Sequence, residues 1–281
     1  MPEPEAPAGE RLGAVSSPDG TLISYEPSGQ GPPIVLVHGT GSDRTVWRAA
    51  AKLLAERLTV YNVDRRGRNE SGDAEPYAME REVEDLVAIM ESLPERGTLL
   101  GHSYGAILSL EAALRTDRIA RLVLFEPPMR GSWSAGPDEL LARAEALMER
   151  GDREGIVALF CLDIIGMSQR RFEAVRQARS WPERLASAHT IPREMRASRD
   201  YALEPGRFRD LQTPTLLLLG GESPERLRTA TESVHAALPN SRLEVLEGQR
   251  HLAMYTAPQL FAEVVLRFVF EGGALVASER G

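Results

Sequence analysis

Short apolar runs alternate along the chain with longer stretches in which apolar residues recur every three or four positions. The runs Leu22–Tyr25, Ile34–Val37, Leu58–Val63, Thr98–Leu100, Leu122–Phe125, Leu216–Leu219 and Leu243–Leu246 have the length and bulk of strands. Between them, Arg44–Arg57, Glu80–Leu93, Tyr104–Arg115, Glu225–Leu238 and Pro258–Phe270 carry the three-and-four spacing of helices that cover a sheet with one apolar stripe. Strand and helix in alternation predict an α/β protein whose sheet is mostly parallel, with helices on both faces and an antiparallel hairpin at its start.

The alternation stops after Pro128 and resumes at Leu216. Over residues 129–208 the pattern is helical, with candidate helices at Asp138–Arg150, Arg153–Ile165 and Ser168–Ala178. An insertion between two strands explains this more simply than a separate domain, because the later strands continue the same rhythm. The predicted organisation is a flexible tail over residues 1–10, an α/β core over 11–128 and 209–281, and a helical cap over 129–208.

Composition narrows the function classes. The 281 residues are 42% hydrophobic and 26% charged, as in an ordinary globular protein, and the net charge of −8 argues against a nucleic-acid partner. Lys52 is the only lysine, so the cations are arginines, and no basic tract gathers them. Cys161 is the only cysteine, which leaves no intrachain disulfide and suits core filling. The start of the chain is rich in Pro, Ala and Glu, without the positive and apolar regions of a secretory signal, and no apolar run approaches membrane-spanning length. A cytoplasmic protein without a membrane partner is expected; nothing in the pattern speaks to oligomeric state.

One pentapeptide changes the picture from fold to chemistry. Gly101-His102-Ser103-Tyr104-Gly105 follows the strand-like Thr98–Leu100 and opens a helical run, the setting in which G-x-S-x-G acts as a nucleophile elbow. The small residues permit a sharp strand-to-helix turn that holds the serine hydroxyl up at the strand end, where the first N–H groups of the helix converge. A serine hydroxyl needs a base to become a nucleophile. Of the five histidines, His38 lies in a turn, His102 points away from its neighbour Ser103, His189 sits in the cap and His235 in an amphipathic helix. His251 stands in a loop directly after the last strand and is the predicted general base. The loop His38-Gly39-Thr40-Gly41 follows the strand beside the elbow, so the backbone N–H groups of Thr40 and Tyr104 are the candidate oxyanion donors.

The order of His-Gly loop, Gly-His-Ser-Tyr-Gly elbow and late Gly-x-x-His resembles the α/β-hydrolase fold superfamily over nearly the whole chain. The resemblance implies a mostly parallel eight-stranded sheet with an inserted helical cap. The segment Asp64-Arg65-Arg66-Gly67-Arg68-Asn69-Glu70-Ser71 resembles the loop after the fourth strand in that superfamily, with Asn69 where a second glycine is usual. Asn tolerates the left-handed conformation, and Asp64 reads as structural.

Two glutamates at strand ends compete to orient His251: Glu126, in Phe125-Glu126-Pro127-Pro128, and Glu222, in Gly220-Gly221-Glu222-Ser223-Pro224. Most of the superfamily takes its acid from the later position, typically an Asp three places beyond a glycine, where this chain has Ser223 or Pro224. A minority takes it from the earlier one. The spelling Asp117-Arg118-Ile119 leading to Glu126-Pro127-Pro128, with Trp181 and Thr190-Ile191-Pro192, is similar to zearalenone-type lactone hydrolases, which belong to that minority. Glu126 is favoured and Glu222 is the alternative.

These residues predict a serine hydrolase that cleaves a small-molecule carboxylic ester or lactone through an acyl-enzyme on Ser103, with no metal or organic cofactor required. Serine at the elbow argues against dehalogenase or epoxide hydrolase chemistry, which uses a carboxylate there. Carbon–carbon bond hydrolysis and cofactor-free perhydrolysis are the alternatives on the same triad, and a non-catalytic small-molecule receptor is the alternative from another class. Candidate substrate contacts are Trp181, Phe160 and Tyr201 in the cap and Trp47 near the catalytic loop, with Met167 and Met195 as further cap residues.

Overall fold

A computed structural model describes residues 12–129 and 137–271; the predicted tail over residues 1–10 lies outside the described residues. Strands β1 (Gly13–Ser16) and β2 (Leu22–Ser28) form the entering hairpin, followed by β3 (Pro33–Val37), β4 (Thr59–Val63), β5 (Gly97–His102), β6 (Ile119–Phe125), β7 (Thr215–Gly220) and β8 (Ser241–Leu246). They make one eight-stranded sheet in the order β1-β2-β4-β3-β5-β6-β7-β8. Every pair from β4 to β8 is parallel, and β2 runs antiparallel to both β1 and β4.

The continuous apolar runs are explained by burial on both faces. All residues of β3, β5 and β7 are buried, as expected where helices cover a parallel sheet on each side. One face packs against α2 (Met79–Ser92), α3 (Tyr104–Ala112) and α10 (Glu225–Ala237); Val83, Leu86, Ile107 and Val234 belong to this cluster. The other packs against α1 (Arg48–Leu54), α11 (Ala253–Thr256) and α12 (Pro258–Phe270), with Trp47, Leu54, Phe261 and Val265 at its centre.

Between β6 and β7 the described residues form only helices: α4 (Pro137–Glu149), α5 (Arg153–Leu159) continuing through a wide turn at Phe160–Ile164, α6 (Gln169–Arg176), α7 (Trp181–Ala186), α8 (Thr190–Asp200) and α9 (Pro205–Phe208). A small apolar cluster of their own, including Leu141, Ile156, Phe160, Phe172 and Met195, holds them together, with Cys161 buried inside it. We refer to α4–α9 as the cap. Its side chains seat on the loops that follow β3 and β4: Arg184 Nη1 donates to the Gly41 carbonyl at 2.8 Å, and Glu194 on α8 accepts from Arg65 at 2.8 Å. No helix among the described residues is long and apolar enough to cross a membrane.

Candidate active site

Parallel strands end on one edge of the sheet, and that edge gathers the loops after β3, β5, β6 and β8. Crossovers put β3 and β6 on either side of β5, so whatever follows β5 is flanked by both. Ser103 follows β5 and takes φ 55°, ψ −124°, a conformation that an L-residue adopts only when its surroundings impose it. Its N–H donates to the Phe125 carbonyl at 2.9 Å, tying the turn to β6. The flanking glycines are sterically required. A Cβ on Gly101 would lie 2.3 Å from the Gly105 carbonyl oxygen, and one on Gly105 would lie 2.6 Å from the carbonyl oxygens of Val37 and His38.

Tyr104 opens α3, so its N–H belongs to the first turn and has no acceptor within the helix. Opposite it runs the loop after β3, and it runs very close: a Cβ on Gly39 would be 2.9 Å from Ser103 Cβ. Gly41 is left-handed at φ 63°, and a Cβ there would meet the Phe160 ring at 2.6 Å. The cap aromatic Phe160 thus borders the loop that carries Thr40.

His251 and Glu126 meet across the ends of β6 and β8. His251 Nδ1 and Glu126 Oε2 are 2.5 Å apart, and Glu126 Oε1 accepts the Gly220 N–H at 2.7 Å. A carboxylate only accepts, so Nδ1 carries the proton and the lone pair of His251 is on Nε2. Glu126 is fully buried and itself left-handed, at φ 48°. His102 completes the scaffold: its Nε2 donates to the His251 carbonyl at 2.8 Å, and the two rings lie 4.4 Å apart. Burial and the neighbouring His251 push the His102 imidazole well below its usual range, so it is neutral.

Glu222 is not brought to His251. Its side chain is 60% exposed and lies 3.7 Å from Arg250, while its N–H donates to the Gln249 carbonyl at 2.9 Å. Its strand end is occupied by Gly220, whose N–H serves Glu126 instead.

Two expected substrate contacts are corrected. Trp47 is fully buried, packed edge-on against His102 and tilted against Phe261, so it supports the elbow from beneath the sheet and presents no surface to a ligand. Tyr201 is buried with its hydroxyl donating to Glu111 at 2.9 Å, near the far end of α3 from Ser103. Trp181 is half-buried and packs edge-on against Phe172 within the cap, Met195 is buried in the cap cluster, and Met167 packs against that cluster.

The loop after β4 holds features that its sequence only partly announced. Asn69 is left-handed at φ 46° and donates to Asp64 at 3.0 Å, and fully buried Asp64 also accepts the Arg44 N–H at 2.9 Å. Arg65, Arg66 and Arg68 all turn inward: none is more than 2% exposed, and each is paired with buried or half-buried carboxylates. Charge pattern alone gives no sign of this, because the partners Glu82 and Glu194 are 17 and 129 residues away from Arg65.

Among the described residues no group of three or more His, Cys, Asp or Glu side chains is disposed to hold a metal ion. The open groove lined by Arg96, Arg115, Asp117, Arg121 and Gln212 lies at the opposite edge of the sheet, where β5, β6 and β7 begin.

Known proteins share this fold. An alpha/beta hydrolase from Sphaerobacter thermophilus is 38% identical, with a TM-score of 0.81 over 92% of this chain and 100% of that one. The pimeloyl-[acyl-carrier protein] methyl ester esterase of Aeromonas hydrophila is 29% identical over 266 residues, covering 88% of this chain and 99% of its own. An esterase from Exiguobacterium antarcticum shares the fold at 22% identity, with a TM-score of 0.74 over 91% of this chain and 98% of its own. The model of the alpha/beta hydrolase family matches residues 34–264, which takes in the loop after β3, the Ser103 turn, the cap and the His251 loop together. A match of that extent, over a sheet of that order, makes the chain a member of the alpha/beta hydrolase family.

Proposed function

We propose that this protein is a serine hydrolase that cleaves a carboxylic ester or lactone through an acyl-enzyme on Ser103. The observation that carries the reading is the strained Ser103 between β5 and α3, with the Glu126–His251 pair beyond the ends of β6 and β8 on the same edge of the sheet. His251 Nε2 takes the Ser103 proton as Oγ attacks the acyl carbon. The N–H groups of Thr40 and Tyr104 receive the oxyanion, and His251 returns the proton to the leaving alkoxide. Water activated by His251 then releases the acid. Glu126, fixed by Gly220, holds the imidazole in the tautomer that this sequence needs.

The relative from Aeromonas hydrophila is named for a methyl ester, which favours an oxoester over other acyl bonds. The acid at the end of β6 keeps the lactone in the substrate class, by the resemblance to zearalenone-type lactone hydrolases. Phe160, beside Gly41, borders the substrate, and Trp181 is a further cap candidate. A small molecule, rather than a nucleic acid or a membrane, is the proposed partner.

The test is hydrolysis of p-nitrophenyl esters of increasing acyl length and of small and macrocyclic lactones, by wild type and Ser103→Ala. Release of acid and p-nitrophenol in equal amounts from an ester, and of a single hydroxy acid from a lactone, is expected, with kcat at least ~10⁴-fold lower for Ser103→Ala. Turnover that survives in Ser103→Ala would sink the reading.

A further inference from the structure

The loop that carries Thr40 is held from behind by buried charges that the reaction scheme does not use. Arg65, just after β4, reaches three acceptors: Nη1 donates to Glu82 Oε2 at 2.9 Å, and Nη2 donates to Glu194 Oε2 at 2.8 Å and to the Gly39 carbonyl at 3.2 Å. Glu82 belongs to α2 and also accepts the Tyr77 hydroxyl at 2.7 Å. Glu194 belongs to the cap helix α8 and also pairs with Arg68, whose Nε donates to the Ser42 carbonyl at 2.9 Å. Both glutamates are 1% exposed or less. Burial raises Glu194, but Arg65 and Arg68 more than offset it and hold the carboxyl below its usual range.

His38 completes the clamp. It is fully buried, and its Nε2 accepts the Arg65 backbone N–H at 3.2 Å, so the proton is on Nδ1, which donates to the Gly39 carbonyl at 2.9 Å. Burial, then Arg65 and Arg68, push this imidazole well below its usual range and keep it neutral. The Gly39 carbonyl therefore accepts two hydrogen bonds from one side. In a planar trans peptide the carbonyl and the N–H of the next residue point in opposite directions. Fixing the Gly39 oxygen fixes the direction of the Thr40 N–H.

We propose that Arg65, locked between Glu82 of the core and Glu194 of the cap, is a positioning residue that aims the Thr40 N–H at the oxyanion, and that Glu194 makes this aim depend on a seated cap. The proposal rests on Thr40 being an oxyanion donor, as read above. Buried charges of this kind are costly unless every partner is in place. If α8 lifts away, Arg65 and Arg68 lose a shared carboxylate, and the Gly39 carbonyl loses the firmness of one of its two donors. The oxyanion site is thereby assembled only beneath a closed cap.

Arg65→Lys tests this, because an ammonium keeps the charge but cannot bridge two carboxylates and a carbonyl as a guanidinium fork does. Wild type, Arg65→Lys and Glu194→Gln are assayed on one p-nitrophenyl ester, with active sites counted by stoichiometric p-nitrophenol release from a p-nitrophenyl phosphonate. Losing an oxyanion donor costs about 10²–10³ in kcat, so misaiming one is expected to lower kcat per active site about 10–100-fold in Arg65→Lys and roughly 3–10-fold in Glu194→Gln. KM stays within about threefold, and the acid limb of the pH–rate profile stays in place, since His251 is untouched. A purely structural pillar would lower the number of active sites and leave kcat per site unchanged; that result in either variant overturns the proposal. Where Arg65→Lys does not fold, Glu194→Gln decides alone. Ser103→Ala in the same assay separates the two readings: if it still turns over, the site assignment fails independently of the clamp.

Discussion

Glu126 and Glu222 are the same residue type at the ends of neighbouring parallel strands, and the structure treats them in opposite ways. Glu126 is fully buried in a left-handed backbone, with one carboxylate oxygen on the Gly220 N–H and the other on His251. Glu222 is mostly in water, 3.7 Å from an arginine that is itself exposed. A solvated ion pair of that kind contributes about 0–1 kcal/mol and holds no geometry. A buried carboxylate with both oxygens committed orients its partner and pays for it in desolvation. Proximity to a catalytic loop in sequence is therefore a weak guide to a triad acid; what distinguishes the two corners is the donor that the next strand offers.

Apart from replacing the acid itself, the change that sharpens this contrast most is Gly220→Ala. Its Cβ would meet the Gln249 carbonyl oxygen at 2.6 Å and Arg250 Cα at 2.8 Å, so the His251 loop must move away from Glu126. A displacement near 1 Å at such a site costs on the order of 10²-fold in rate, and kcat on a p-nitrophenyl ester should fall by about that factor. The neighbouring Gly221→Ala meets first the flexible end of Glu247, at 3.0 Å, and should stay within about twofold of wild type.

A smaller effect concerns stability in acid, where held and solvated carboxylates again part company. Asp73 accepts from Arg193 at 2.8 Å and lies 3.2 Å from His189; burial raises its carboxyl, but these partners together hold it well below the usual carboxylate range. With the folded pKa depressed, its contribution is fully present above the unfolded value, near pH 4, and is lost as pH falls toward the folded value. Urea midpoints measured between pH 5 and pH 2 should therefore fall more steeply for wild type than for Asp73→Asn. Glu222→Gln should stay within about 0.5 kcal/mol of wild type throughout, as a surface substitution does.

Most of the frame was legible in the chain. The runs at Ile34–Val37 and Leu216–Leu219 are strands because both faces of each are covered, and Pro258–Phe270 matches α12 residue for residue. The edge strand β1 escaped because only one of its faces is half-covered, and Gly13–Ser16 carries a weak alternation. Helices α7 and α8 escaped because Trp181–Ala186 is short and Thr190–Asp200 buries charged residues, Arg193 and Glu194, where an apolar stripe would be sought. In the site, the elbow and the His251 loop are local motifs and could be read directly. Trp47 and Tyr201 depart from expectation because spacing does not show what a side chain packs on: Trp47 lies against His102 and Phe261 in the core, and the Tyr201 hydroxyl is committed to Glu111. The clamp on Gly39 could not be read at all, since it joins residues from the loop after β4, from α2 and from α8 through side chains rather than spacing.

The most direct test of the account is kcat for the isosteric pair Glu126→Gln and Glu222→Gln on one p-nitrophenyl ester, with the melting temperature of each. Replacing a triad carboxylate by its amide costs up to ~10⁴-fold by favouring the wrong imidazole tautomer, so Glu126→Gln should fall by about 10³–10⁴ while Glu222→Gln stays within about twofold. Loss of activity in Glu222→Gln, with Glu126→Gln folded and active, would contradict the assignment of the acid and return it to the end of β7.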